Sequence, residues 1–509
     1  MNNPAKTSTW TRREWLVLAA VGLPLMVGAI NIFGTTLALT QIQQDFAVGF
    51  DLLRWIIVAF LVPDLLLLLV GGRYGDFFGR RRLILAGAVI FAVGAGLSAV
   101  APSYWFLIAT RIVEGAGAGF MFAGLLAVIA DTFPERRLGA AFGIWALIGA
   151  LAFGVSPLIA GSLVDGVGWR YIFVLNGVVA ILTAALIARL LDDDTRGDRP
   201  AGDPVGLITI GAGVSLLAIG LLQGPSWGWS SAITIALLLA GAVSLGIGIL
   251  VETRVENPFW HPQVIRSRNF LPGTLVVAII YLAQEMTVLI VVFYLVFVRD
   301  VPLFETGLVL LAYSILWLLI SPWSGRLSDR IGALPPILAG LAVAGAGAFV
   351  IAFGMTNIVG LCIGLALLAA GHGFAIAPAN AAAMRQVPAS LRGEASGINM
   401  MLRISGAVVG IAAGASLLQW RNHSIVSAEV AERGADPGLL RSADLGGLLE
   451  TPLGVHESII DVFANAGELQ SAAESAFKTA ASTTFIIAGA LYFCVLIICV
   501  ATLRDKQHQ

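Results

Sequence analysis

Apolar residues in this chain fall into blocks of about 20, divided by short charged punctuation, and few stretches alternate polar with apolar. LILAGAVIFAVGAGL at 83–97 shows the type: no alternation of the kind a barrel strand needs, and too long for a buried strand. A block of this length crosses a hydrocarbon core of about 30 Å at about 1.5 Å per residue. Lipid leaves no backbone group unpaired, so helices are the expected solution. The blocks predict fourteen spans at 15–40, 52–71, 83–102, 105–130, 138–162, 169–190, 205–224, 230–251, 271–298, 305–324, 335–356, 358–380, 396–419 and 480–502. The first runs straight on from residue 15 without a small-residue cleavage site and is read as a retained span rather than a signal peptide.

Composition agrees with an all-α polytopic membrane protein. Of 509 residues, 58% are apolar and 12% charged, against roughly 25% charged in a soluble domain. Cys362, Cys494 and Cys499 all lie inside apolar blocks, which removes a disulfide framework or a zinc cluster from consideration. A net charge of -1 with no basic tract gives nucleic acid nothing to hold. No GxxxxGK[ST] loop is present, so nothing on this chain suggests ATP hydrolysis, and no nucleophile with its base suggests an enzyme. No cofactor or metal is expected; the expected partners are the lipid bilayer, a small substrate and protons, with the chain acting as a monomer.

The basic residues orient the spans. With the N-terminus inside, 22 of the 30 Lys and Arg fall on the inner side, Arg385, Arg392 and Arg403 among them, while seven fall outside and Arg111 is left within a span. That asymmetry predicts both termini cytoplasmic in an inner or plasma membrane. One long connection, 420–479, is expected outside; it carries nine acids against four basic residues, and its second half has spacing suited to one or two amphipathic surface helices.

The chain also repeats itself. The turn GGRYGDFFGRRR at 71–82 returns as SGRLSDRIG at 324–332, some 253 positions on, and GAGF at 117–120 matches GHGF at 371–374. Two homologous halves follow: a six-helix bundle at 1–190, a two-helix insertion with its linkers at 191–270, and a second six-helix bundle at 271–509. Six plus two plus six gives the fourteen.

These motifs, in order and on the right helices, resemble the major facilitator superfamily, specifically its fourteen-span drug:proton antiporter branch. The loop signature Gly-x-Leu-Ala-Asp-Arg-x-Gly-Arg-Arg is met by Gly72, Tyr74, Gly75, Asp76, Phe77, Gly79, Arg80 and Arg81, with Tyr for Leu, Gly for Ala and Phe for Arg. The fourth-helix Arg-x-x-Gln-Gly stands as Arg111, Glu114 and Gly115, with Glu for Gln. The fifth-helix antiporter signature Gly-Pro-x-x-Gly-Gly survives as Ser156, Pro157, Ala160 and Gly161, followed by WRYIFVLN. An acid common early in the first helix is replaced by Asn31. The resemblance implies a major facilitator fold and alternating access.

Several residues carry candidate chemistry. Asp64 follows Pro63 in mid-span, where an acid must face protein or water, and fits either a proton or cation site or a helix-kink partner. Arg111 and Glu114 share a helix face, as a titratable pair or as a structural ion pair. The repeat sets Glu285 opposite Asn31, where it can replace the missing acid or be a buried structural glutamate. His372 can titrate, or simply pack. Asp76 with Arg80 and Arg81, and Asp329 with Arg326 and Arg330, lie at tight turns where a carboxylate can cap a helix and meet a guanidinium as a conformational latch, or stay a static cap.

The reading these residues favour is a proton-coupled secondary exporter of hydrophobic, cationic drugs. Open beside it are a carrier of the same fold for a lipid, siderophore or endogenous metabolite, and a non-transporting sensor or scaffold.

Overall fold

The computed structural model describes residues 10–192, 204–255, 261–355, 357–433 and 466–503. Among them are fourteen helices long and apolar enough to span a bilayer. The first seven are α1 (Arg12–Phe46), α2 (Phe50–Phe78), α3 (Arg80–Ala99), α4 (Tyr104–Ala123, continuing past Gly124 as Leu125–Thr132), α5 (Leu138–Gly166), α6 (Arg170–Leu190) and α7 (Pro204–Trp227). The others are α8 (Ala232–Glu252), α9 (Phe270–Phe293), α10 (Leu303–Ile331), α11 (Leu334–Gly354), α12 (Ile358–Arg385), α13 (Arg392–Glu432) and α14 (Ala466–Thr502). Val93, Trp105, Ile181, Leu239 and Phe353 are exposed on this bundle, as residues facing lipid tails should be.

Local chemistry sets the ends. α1 starts in a capping box: the Thr11 hydroxyl accepts from the Glu14 amide at 3.2 Å and the Glu14 carboxylate accepts from the Thr11 amide at 2.6 Å. α2 ends at Gly79 and α10 at Gly332, with φ of 95° and 91°. These two glycines are equivalent in the repeat, and a left-handed turn that only glycine adopts cheaply recurs with the motif that contains it.

The last two helices are longer than hydropathy suggests. The expected span 396–419 is a continuous helix from Arg392 to Glu432, and the last one already runs from Ala466. Both ends of the expected 420–479 loop are therefore helical, while 434–465 lies outside the described residues. Leu418, Asn422, Val426 and Val430 recur every four residues and are buried, and Phe477 on α14 belongs to the same core as Leu418. An amphipathic helix leaving the bilayer keeps a buried stripe without keeping a high mean hydropathy.

Helices pack in a pattern that the repeat maps onto itself. Within the first half α2 and α3 pack on α4, and α1 on α5 and α6; in the second, α9 packs on α13 and α12, and α11 on α12 and α14. Across the halves α2 meets α13 and α5 meets α10. Because α10 repeats α2 and α13 repeats α5, the two seams are the same contact made twice. The hairpin α7–α8 rests through α7 on α2 and α13.

Candidate functional site

A cavity of about 150 Å³ lies between the halves, lined from α1, α2, α4, α5, α9 and α13. Leu25, Phe60, Phe122, Phe153 and Ile404 make its walls largely apolar, and Asn31, Asp64, Arg111, Tyr281, Glu285 and Arg403 supply polar groups. Asp64 is 3% exposed, and its Oδ1 has no hydrogen-bond partner among the described residues. An open carboxylate in such surroundings is costly until a proton or a cation meets it. Glu285 faces the same cavity from the other half.

One cation shares the cavity with both acids: Arg403 lines it together with Asp64 and Glu285. Its guanidinium lies 4.2 Å from the Tyr281 ring centre and 5.6 Å from that of Trp145. The basic-residue count had placed Arg403 at the inner surface. The structure places it on the cavity wall instead, because α13 starts at Arg392 and eleven residues at about 1.5 Å each raise it about 16 Å along the helix.

Glu114 does not line this cavity. It is fully buried behind Arg111, whose Nη1 donates to Glu114 Oε2 at 2.7 Å, Nη2 to Asn31 Oδ1 at 2.8 Å and Nε to the Ile56 carbonyl at 3.2 Å. The Ser98 hydroxyl bonds the other Glu114 oxygen, and Asn31 Nδ2 donates to Oε2 at 3.3 Å. The two departures from the family pattern, Asn for an acid in the first helix and Glu for Gln in the fourth, thus touch one another. The amide donates to the carboxylate and accepts from the guanidinium, which an aspartate at 31 has no proton to do. A carboxylate so fully bonded has less to offer a substrate than Asp64 has.

At one end of the bundle the repeated acids make equivalent contacts. Asp76 Oδ1 accepts from the Gly393 amide and Oδ2 from the Glu394 amide, both at 2.9 Å, so it caps the first turn of α13. Asp329 accepts from the Gly139 and Ala140 amides, again both at 2.9 Å, and caps the first turn of α5. Each half caps a helix of the other, at the positive end of its dipole. Contact is close: a Cβ on Gly393 would lie 2.7 Å from the Gly72 carbonyl oxygen, and one on Gly139 would lie 2.8 Å from Asp329 Oδ1.

The guanidiniums differ from expectation in part. Arg80 bonds Asp76 at 2.7 Å, pairs with Asp131 and reaches the Ala389 carbonyl at 2.9 Å. Arg81 turns away and donates to the Ala188 carbonyl at 2.7 Å, at the end of α6. Asp329 is met by Arg385 at 3.0 Å, while Arg326 and Arg330 lie on the exposed side of α10. An ion pair between the halves, Arg392 with Asp131 at 2.8 Å, was not foreseen. The two guanidiniums come from the last residue of α12 and the first of α13, far from the motif in sequence, so only the closed packing reveals them.

His372 sits away from the cavity, inside the second half. Its Nδ1 bonds the Tyr313 hydroxyl at 2.7 Å and its Nε2 the Tyr492 hydroxyl at 2.5 Å, tying α12 to α10 and α14. In the fifth-helix signature Ser156 and Ala160 are buried, Ser156 bonding the Ala152 carbonyl at 2.6 Å; Pro157 lies within α5, and a Cβ on Gly161 would meet nothing within 4 Å. No cluster of three or more His, Cys, Asp or Glu that could hold a metal occurs among the described residues.

Two repeated bundles, a cavity between them and paired contacts at one end define a carrier that moves small molecules by alternating access. The chain belongs to the Major Facilitator Superfamily, which it matches over residues 20–411. It is similar to multidrug resistance protein Stp of Mycobacterium tuberculosis, 31% identical over 416 residues that cover 80% of this chain and 77% of that protein. The tetracenomycin C resistance and export protein of Streptomyces glaucescens is 28% identical over 412 residues, covering 79% and 75%. Among solved structures the proton:xylose symporter XylE matches with a TM-score of 0.59 at 12% identity, over 97% of this chain and 96% of its own, a likeness of fold.

Proposed function

We propose that the chain is a proton-coupled exporter of hydrophobic, cationic compounds, of the fourteen-span drug:proton antiporter branch, with both termini cytoplasmic. The observation that carries this reading is Asp64, a buried carboxylate with a free acceptor oxygen in an apolar cavity that Glu285 enters from the opposite half. A cationic substrate supplies the missing charge, and a proton competes for the same oxygens. Protonation from outside releases the substrate; deprotonation inside readies the cavity for the next.

Under this reading Asp76 and Asp329 are latches. Their contacts hold the cytoplasmic end sealed, and opening it means breaking both caps together. The Lys and Arg asymmetry supports the orientation, and the export and resistance named for similar proteins supports the cargo. Arg403 favours a second reading, an endogenous metabolite that carries an acidic group as well, since its guanidinium lines the same cavity. Uphill flux of cationic dyes in proteoliposomes under an imposed pH gradient decides between them.

A further inference from the structure

At the latch end lies a second, larger cavity of about 590 Å³, which shares no lining residue with the central one. It opens between the start of α9, the end of α12 with the loop after it, and Glu135 from the first half. Three guanidiniums line it, those of Arg268, Arg385 and Arg392, against one carboxylate, Glu135. Two of the three are held from behind: Arg385 gives Nη2 to Asp329, and Arg392 gives Nη1 to Asp131 and to the Ala130 carbonyl. The Nε of each has no acceptor among the described residues. Arg268 is exposed and has no ion-pair partner among the described residues.

Three like charges around one hollow repel each other, and a planar fork with unused donors suits phosphate oxygens better than water. We propose that this cavity is a binding site for a phosphate-bearing anion, either a phospholipid headgroup or a soluble phosphate. The bound group relieves the repulsion while Arg385 and Arg392 keep the carboxylates they already hold, so occupancy steadies the sealed end. Binding itself does not depend on what the central cavity carries; only the effect on the gate rests on the latch reading.

The test uses the purified full-length protein in neutral phosphatidylcholine nanodiscs. Inorganic phosphate is titrated against chloride at matched ionic strength, and the apparent Tm is followed. Phosphate is expected to raise Tm, with Arg268→Gln moving the half-saturating concentration up roughly two- to fivefold and Glu135→Gln moving it down by a similar factor. The gain from Glu135→Gln is an outcome that damage to the fold does not produce. In a second arm, nanodiscs containing phosphatidylglycerol replace the phosphate. A Tm increase seen only there, and lost in Arg268→Gln, identifies the ligand as a lipid headgroup. Stabilisation in neither arm, or stabilisation that ignores both substitutions, overturns the site.

Discussion

Asp76 and Asp329 stand 253 positions apart and perform the same act in opposite directions: the first caps α13 of the second half, the second caps α5 of the first half. Each accepts two backbone amides at 2.9 Å, and each meets a guanidinium, Arg80 or Arg385. Such a pair ties the two halves together at one end of the molecule, which the proposed latch role makes the sealed end. It follows that loss of either cap disturbs the balance of states more than it disturbs the cavity.

Asp76→Asn keeps one acceptor oxygen and removes the charge, which leaves an amide of α13 poorly met at a cost of about 1–3 kcal/mol to the sealed state. Transport is expected to slow roughly tenfold or more while equilibrium substrate binding stays within a fewfold. Flux and binding on the same preparation separate the two. Equal losses in both would assign Asp76 to binding or to folding.

The contact between Asn31 and Glu114 makes a sharper genetic statement. Asn31→Asp alone sets two carboxylates against one guanidinium, and Glu114→Gln alone leaves Arg111 without its buried counter-ion, a loss of about 3–5 kcal/mol for a pair of this kind. Combined, they restore one acid and one amide around Arg111 with the places exchanged. The double variant is expected to recover much of the stability and flux that each single variant loses. A double-mutant cycle with purely additive losses contradicts the exchange.

His372 is a strut on this structure. His372→Leu leaves the Tyr313 and Tyr492 hydroxyls buried without partners, each costing about 1–3 kcal/mol. Apparent Tm is expected to fall by several degrees, with the pH profile of transport unchanged. A shifted pH profile at unchanged Tm would make the histidine part of proton coupling.

Much of this was legible in the sequence, for physical reasons that differ from residue to residue. The bilayer fixes how long an apolar block must be, so all fourteen helices could be counted. The turn motif betrayed the repeat because its glycines serve a backbone shape, as Gly79 and Gly332 do. Arg385 was invisible as the partner of Asp329 because it is 56 residues away, on another helix. Arg403 was assigned to the surface because a count of basic residues carries no depth. The extension of α13 past residue 419 escaped a hydropathy reading, although the spacing Leu418, Asn422, Val426, Val430 signals a helix with one buried face.

Orientation is checked by chemistry at two exposed positions, in a chain from which Cys362, Cys494 and Cys499 have been removed. Ala428→Cys, on the extension of α13, is expected to react with an impermeant thiol reagent in intact cells, and Gln263→Cys only after permeabilisation. The opposite labelling reverses the assignment of both termini.

Coupling through Asp64 and Glu285 is tested most directly by dye flux in proteoliposomes under an imposed pH gradient, comparing the wild type with Asp64→Asn and Glu285→Gln. An amide still accepts a hydrogen bond but does not cycle a proton. Uphill accumulation driven by the gradient is expected for the wild type; Asp64→Asn and Glu285→Gln should lose it while retaining downhill movement of the dye. Wild-type flux indifferent to the gradient, or full uphill transport by both variants, would contradict proton coupling in this cavity.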